Sequence, residues 1–232
     1  MKYMELKNGL KDGLPICLGY LAVSFSFGML AVGGGLPLWS AAGLSMTNLT
    51  SAGQFAALNL MLANAPLVEI GMATLIINIR YLLMSLVLSQ KIEKMPLVQR
   101  LIIAFGVTDE IFTVASTRYG KVGFWYMLGL ILAPYAGWSA GTVLGACING
   151  LLPEAVSNAL GISLYAMFIA IVVPAAKQDR AVLFTLLAAV AISCVFYYIP
   201  GLSSVSSGWV VIIAAVAASA LAATVLPRKE GI

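Results

Sequence analysis

Residues 122–149 read VGFWYMLGLILAPYAGWSAGTVLGACIN, twenty-eight positions without one charged side chain. The hydrocarbon core of a bilayer takes about 20 apolar residues as a helix, so this run predicts a membrane span. It is too long and too continuous for a barrel strand, where apolar and polar residues alternate over about 10 positions. Working outward, further apolar segments of the same kind lie at 13–32, 38–63, 66–89, 101–117, 158–176, 181–200 and 208–226. The joints between them are short, and Pro37, Pro66, Pro96, Pro153, Pro200 and Pro227 fall there, where helices start and stop.

Composition leads to the same place. Of the 232 residues 61% are hydrophobic and 9% charged, with a mean hydropathy of +1.00; a soluble domain carries about 25% charged residues to cover its core. A water-soluble protein is excluded. The chain reads as all-α, a polytopic helical membrane protein forming a single transmembrane domain over residues 1–232. The run from Gly13 follows Lys2, Lys7 and Lys11 and is long enough to span, so it reads as a retained first helix rather than a signal peptide.

Charge sets the expected topology. Basic side chains collect at the N-terminus, in 91–100 (Lys91, Lys94, Arg100), at Arg118 and Lys121, at Lys177 and Arg180, and at Arg228 and Lys229, whereas joints 33–37, 150–157 and 201–207 carry no Lys or Arg. Positive loops face the cytoplasm, and eight simple crossings cannot put all five basic sites there. The conflict disappears if 38–63 enters and leaves on the outer side and 101–117 on the inner side. That gives about six full spans plus two interrupted or re-entrant segments, with both termini cytoplasmic. The alternative keeps 38–63 crossing and sacrifices one basic loop. The net charge of +4 is thus topological; without a basic patch bearing exposed aromatics, nucleic acid is not an expected partner.

The chain contains no histidine. This removes HExxH zinc sites and Ser–His or Cys–His catalytic pairs, so neither an enzyme, a cofactor nor a metal site is expected. Cys17, Cys147 and Cys194 are scattered through apolar runs and read as small buried hydrophobes.

The polar residues inside apolar segments carry the functional expectation. In 38–63, Thr47, Thr50, Ser51 and Gln54 follow i, i+3, i+4, i+7 spacing, which on a continuous helix is one face. Beside Gly53, that stripe suggests a cavity wall; for any one of these residues, helix–helix hydrogen bonding is the plainer role. In 66–89, Glu69 lies near Pro66 and reads as interfacial, while Arg80, with Asn78 nearby, lies deeper. An arginine at membrane depth costs at least about 2.5–3.5 kcal/mol and calls for a carboxylate or a substrate, unless it snorkels to the cytoplasm. In 101–117, Thr108-Asp109-Glu110 sets two carboxylates in an apolar stretch, where such groups mark ion or substrate paths. One carboxylate is expected to pair with Arg80, leaving the other free to titrate. Asp109 doubles as an expected helix N-cap. Gly137, Gly141 and Gly145, like Ala214, Ala218 and Ala222, read as close-packing helix faces.

In order and spacing, these motifs resemble the large subunit of the AzlC-type branched-chain amino acid exporters, the LIV-E family. The resemblance runs from Gly13-Leu14-Pro15 and Phe27-Gly28 through Ser51-Ala52-Gly53-Gln54-Phe55, Asn78-Ile79-Arg80-Tyr81 and Thr108-Asp109-Glu110-Ile111-Phe112 to Ala166-Met167-Phe168-Ile169-Ala170 and Pro174. It implies a secondary transporter that exports leucine, isoleucine, valine and methionine from a bacterial cell, driven by the proton gradient, together with a small AzlD-type membrane subunit. The family often has His where this chain has Tyr81, and an Asp where it has Ala159-Leu160-Gly161. Both departures remove an ionisable group. The substrate and proton path is expected to use Arg80, Asp109, Glu110, Gln54, Ser51, Gly53, Asn78 and Thr108. The alternatives are a non-transporting membrane assembly subunit and a channel for small solutes.

Overall fold

The computed structural model describes residues 2–151 and 162–226, and helices dominate both stretches. Pro153, Ala159 to Gly161, the first residues of segment 158–176, Pro227, Arg228 and Lys229 lie outside the described residues. In chain order the helices are α1 (Lys2–Gly33), α2 (Leu38–Thr47), α3 (Ala52–Leu62), α4 (Leu67–Asn78), α5 (Arg80–Lys91), α6 (Leu97–Phe105), α7 (Asp109–Thr117), α8 (Phe124–Ile148), α9 (Ser163–Gln178), α10 (Arg180–Tyr198) and α11 (Ser207–Val225). Among the described residues, five helices are long and apolar enough to cross a membrane: α1, the α4–α5 pair taken together, α8, α10 and α11. The two segments expected to be interrupted are interrupted. Segment 38–63 divides at residues 48–51, and 101–117 divides at Gly106-Val107-Thr108. A third discontinuity, at Ile79 between α4 and α5, was not expected.

Contacts group the chain into two compact units: residues 1–55 with 78–164, and residues 56–77 with 165–232. The first unit is built on α1 and α8. A Cβ at Gly9 would lie 2.8 Å from Leu130 N, one at Gly13 2.8 Å from Leu130 O, and one at Gly28 2.8 Å from Ala146 N. From the other side, Cβ atoms at Gly129 and Gly137 would press on the backbone at Leu10 and Cys17, and those at Gly141 and Gly145 on the carbonyls of Leu21 and Phe25. Residue numbers rise together along this seam, so the helices run parallel. Small residues let the two backbones touch, and such packing drives helix association where lipid removes the hydrophobic difference between partners. The glycine stripe read in α8 is therefore half of a reciprocal one. It also explains why α1 begins at Lys2, well before its apolar run: Gly9 is already in the seam.

The flanks of the α6–α7 segment lie together. The Lys91 ammonium donates to Ser116 O, Glu93 N donates to Val122 O at 3.0 Å and Val122 N to Lys91 O at 3.0 Å. The chain thus leaves one end of the unit into α6 and returns to that end after α7. There, Arg118 meets Glu5 of α1 at 3.3 Å, so the N-terminal, 91–94 and 118–121 basic clusters share that end. Leu88, Ile103, Val107, Ile111, Tyr126, Met127 and Leu130 form the apolar core beneath them.

In the second unit, Ala57, Leu60, Ile70, Ala73 and Ile212 pack together. Glu69 is 3% exposed, and its carboxylate accepts from the Ser206 hydroxyl and from Gly208 N at 3.1 Å. It caps α11, where the positive end of the helix dipole favours an anion. Ala214, Ala218 and Ala222 of α11 are buried as their spacing predicts. No α10 residue is buried. Cys147 and Cys194 are exposed, not buried, because both lie on outward helix faces, and the cysteines are free.

Candidate functional site

The three discontinuities of the first unit carry its polar chemistry. At the first, Asn48 is extended (φ −142°, ψ 101°) and Ser51 has φ +26°. Residues 45 and 54 would stand about 13.5 Å apart along an unbroken helix, yet Gln54 Nε2 donates to Ser45 Oγ at 2.6 Å. The chain folds back, so Thr47, Thr50, Ser51 and Gln54 do not share one helical face. Thr47 ends α2 exposed, with its hydroxyl on Gly43 O at 2.7 Å. Ser51 sits in the turn itself.

Gln54 is buried, with both ends of its amide bonded. Its Oε1 accepts from Trp138 Nε1 at 3.1 Å, and Ser45 Oγ lies 2.7 Å from Thr142 Oγ1. An indole N–H only donates, which fixes the orientation of the Gln54 amide: Trp138 donates to Gln54 and Gln54 to Ser45, while either hydroxyl of the Ser45–Thr142 pair can donate to the other. The network locks the α2–α3 turn onto α8.

At the second discontinuity Asn78 ends α4. A Cβ on Gly53 would lie 2.7 Å from Asn78 Nδ2 and 2.7 Å from Thr50 Oγ1. Only glycine lets the Asn78 amide lie against the turn this closely. Thr50 Oγ1, Asn78 Oδ1 and Arg80 Nε are buried atoms without a hydrogen-bond partner. Buried polar groups are ordinarily paired, so these three provide unused hydrogen-bonding capacity beside the turn and the ion pair.

At the third discontinuity Thr108, not Asp109, is the N-cap of α7; its Oγ1 accepts from Ile111 N at 3.3 Å. Asp109 is instead the first helical residue, and its Oδ2 lies 3.0 Å from Arg80 Nη2. The expected Arg80–carboxylate pair thus forms, and with Asp109. The Arg80 guanidinium also lies 5.3 Å from the centre of the Tyr81 ring, the residue that stands where the family often has His. Glu110 has a different partner. The Tyr20 hydroxyl bonds its carboxylate and lies 2.8 Å from Thr108 Oγ1. A carboxylate only accepts, so Tyr20 gives its one proton to Glu110, and Thr108 completes the set with its own. Adjacent carboxylates are thereby sorted: Asp109 onto a permanent cation, Glu110 onto the Tyr20 hydroxyl.

Tyr20, Trp138, Ser45 and Thr142 were not singled out from sequence. Tyr20 and Trp138 stack edge to face with centroids 5.4 Å apart, which joins the Gln54 network to the Glu110 contacts. Below the third discontinuity, between α5 and α6, opens a cavity of about 690 Å³; Leu88, Ile103 and Val107 line it along with the charged side chains of Glu93, Lys94 and Arg100.

Comparison with known proteins places this geometry. Residues 15–152, which contain every residue of the three discontinuities, match the family model described as AzlC protein. An uncharacterized membrane protein of Archaeoglobus fulgidus is 31% identical over 179 residues, covering 76% of this chain and 78% of the relative. The inner membrane protein YgaZ of Escherichia coli is 29% identical, covering 77% and 76% respectively. An uncharacterized membrane protein of Helicobacter pylori is 26% identical over 62% of this chain and 66% of its own length. No solved structure matches.

Proposed function

The chain belongs to the AzlC family of membrane proteins, and on that premise we propose that it is a secondary transporter exporting branched-chain or other small apolar amino acids. The observation that carries this reading is the Arg80–Asp109 pair at 3.0 Å, set where two helix discontinuities meet inside an apolar protein. Discontinuous helices near mid-membrane are a recurrent way to build transporter sites. An amino acid is a zwitterion, and an internal ion pair is its counterpart. Opening the pair offers Arg80 to the substrate carboxylate and Asp109 to the ammonium, so two charge pairs replace one and no ion is left alone in a poorly solvated place. The unpartnered atoms of Thr50, Asn78 and Arg80 supply further hydrogen bonds to the same head group.

Glu110 carries the coupling proton in this scheme. It has no cation partner, so taking up a proton there costs no ion pair, and the Tyr20 hydroxyl can bond either form. The α2–α3 and α6–α7 segments act as re-entrant hairpins from opposite membrane faces, with both termini in the cytoplasm of a bacterial cell. The cavity beneath α6–α7 is the cytoplasmic approach. A small AzlD-type subunit completes the transporter.

The test is efflux of preloaded labelled leucine, isoleucine, valine and methionine from cells. The chain is expressed alone, with a candidate small subunit, and as the Asp109→Asn variant. Efflux that requires the subunit, falls at least tenfold in the variant and collapses with an uncoupler is the expected outcome. Unchanged efflux of all four amino acids overturns the substrate assignment, and wild-type efflux by both Arg80→Ala and Asp109→Asn overturns the site.

A further inference from the structure

A second polar cluster lies in the first unit, apart from the three discontinuities, at the end where α1 begins, α7 ends and α8 begins. A pocket of about 410 Å³ there is lined by Asn8, Lys11, Asp12, Thr117, Arg118 and Tyr126, with Val114 at its base. Arg118 is held tightly in it. Its guanidinium lies 3.6 Å from the centre of the Tyr126 ring, and Nη2 reaches Glu5 Oε2 at 3.3 Å. The Tyr126 hydroxyl in turn donates to Asp12 Oδ2 at 2.7 Å. Stacking and pairing fix the plane of the guanidinium, yet its Nη1 is buried and has no hydrogen-bond partner.

A guanidinium presents its donors as a planar fork that matches carboxylate and phosphate oxygens. Glu5 takes one arm of this fork and leaves the other unused. Lys11 lines the same pocket with a second positive charge, and Asn8 adds an amide. The anion of the lining, Asp12, is already engaged by Tyr126. The pocket is also at the right level. It lies where the apolar runs of α1 and α8 begin, at the end that gathers the basic clusters, and basic pockets between helices on that side of a membrane bind lipid head groups.

We propose that this pocket binds a phosphate group, held by the free arm of Arg118 and by Lys11, and borne either by an inner-leaflet phospholipid or by a soluble phosphate ester. Seated there, the phosphate bridges α1 to the α7–α8 joint and supplies the partner that Arg118 Nη1 lacks.

The proposal is tested on purified, delipidated protein by native mass spectrometry and thermal unfolding. The probes are dioleoylphosphatidylglycerol, glycerol 3-phosphate and inorganic phosphate. Binding of the lipid, weakened at least tenfold by both Arg118→Gln and Lys11→Gln and unchanged by Lys177→Gln, is the expected result and identifies a phospholipid. Equal site-dependent binding of glycerol 3-phosphate identifies a soluble ester. Lys11 is exposed, so its variant reports on the site even if Arg118→Gln loosens the fold. Failure of all three probes to bind, or lipid binding that survives Lys11→Gln unchanged, overturns the proposal. Neither outcome depends on whether the protein transports amino acids.

Discussion

The α1–α8 seam and the three helix discontinuities both depend on glycine, but they use it differently. Along the seam, the atoms that crowd each missing Cβ are mostly backbone: Leu130 N, Ala146 N, Cys17 O. At the discontinuities they are side-chain atoms: the Asn78 amide and Thr50 hydroxyl over Gly53, and Ile131 over Gly106. Backbone against backbone allows one arrangement, because moving either partner moves a whole helix. Side chains over a turn can be exchanged for other groups without moving a helix. The seam suits a scaffold, and the discontinuities suit a site that must bind and release.

The largest expected effect tests the seam. Gly28→Ala places a methyl 2.8 Å from Ala146 N and 2.9 Å from Thr142 C. Overpacking of this kind costs about 1–3 kcal/mol, and with no side chain able to give way the loss is expected near the upper figure. A thermal unfolding midpoint in detergent checks it; a wild-type midpoint breaks the comparison. Next comes Gln54→Leu, which strips partners from Trp138 Nε1 and Ser45 Oγ. An orphaned buried group costs about 1–3 kcal/mol, so a loss of about 2 kcal/mol is expected in the same measurement. Replacing Trp138 by Phe as well should recover part of that loss, since the orphaned donor is then gone.

Why some of this was legible from sequence, and some not, follows from how far each signal reaches. The helices and two of the three discontinuities could be read because apolar runs and basic clusters are local. The Arg80–Asp109 pair could be expected because two ions of opposite sign set in apolar segments need each other wherever the chain puts them. The stripe from Thr47 to Gln54 was misread because helical spacing assumes a helix, and the turn at residues 48–51 leaves no proline and only a serine at φ +26° as its mark. Thr108 and Asp109 are both good N-caps; what separates them is Arg80, which takes the Asp109 carboxylate. Tyr20 looked like any aromatic in an apolar run, because its partners lie 88 and 90 residues away. The partners of Glu69 were hidden for the same reason, lying 137 and 139 residues on.

Tyr20→Phe tests the contact that joins scaffold to site. It removes the one hydroxyl that α1 gives to Glu110, and hydrogen bonds to charged groups are worth about 1.5–3 kcal/mol. The contact is only partly buried, so the expected loss is about 1.5 kcal/mol, the low end of that range. The sharper reading is a double-mutant cycle. If Tyr20 acts through Glu110, Tyr20→Phe should cost little in a Glu110→Gln background, where the acceptor is neutral. Equal costs in both backgrounds would assign Tyr20 to packing against Trp138 alone.

The smallest expected effect returns to glycine. Gly106 closes α6 with φ −93°, a conformation any residue adopts, so Gly106→Ala brings no backbone strain. Its methyl would meet Ile131 Cδ1 and Cγ1, each at 2.8 Å, along with the Cγ2 methyl. Ile131 is buried and branched at Cβ, so it cannot simply swing aside; it must change rotamer or shift within the core. That adjustment, unlike the displacement of a helix, is expected to cost about 1 kcal/mol, the low end for overpacking. The ratio between Gly28→Ala and Gly106→Ala is therefore the quantity to measure. A clear gap supports a scaffold closed by backbone and a site closed by side chains. Equal losses would mean that Ile131 is as fixed as the seam, and that the turn before Thr108 belongs to the scaffold.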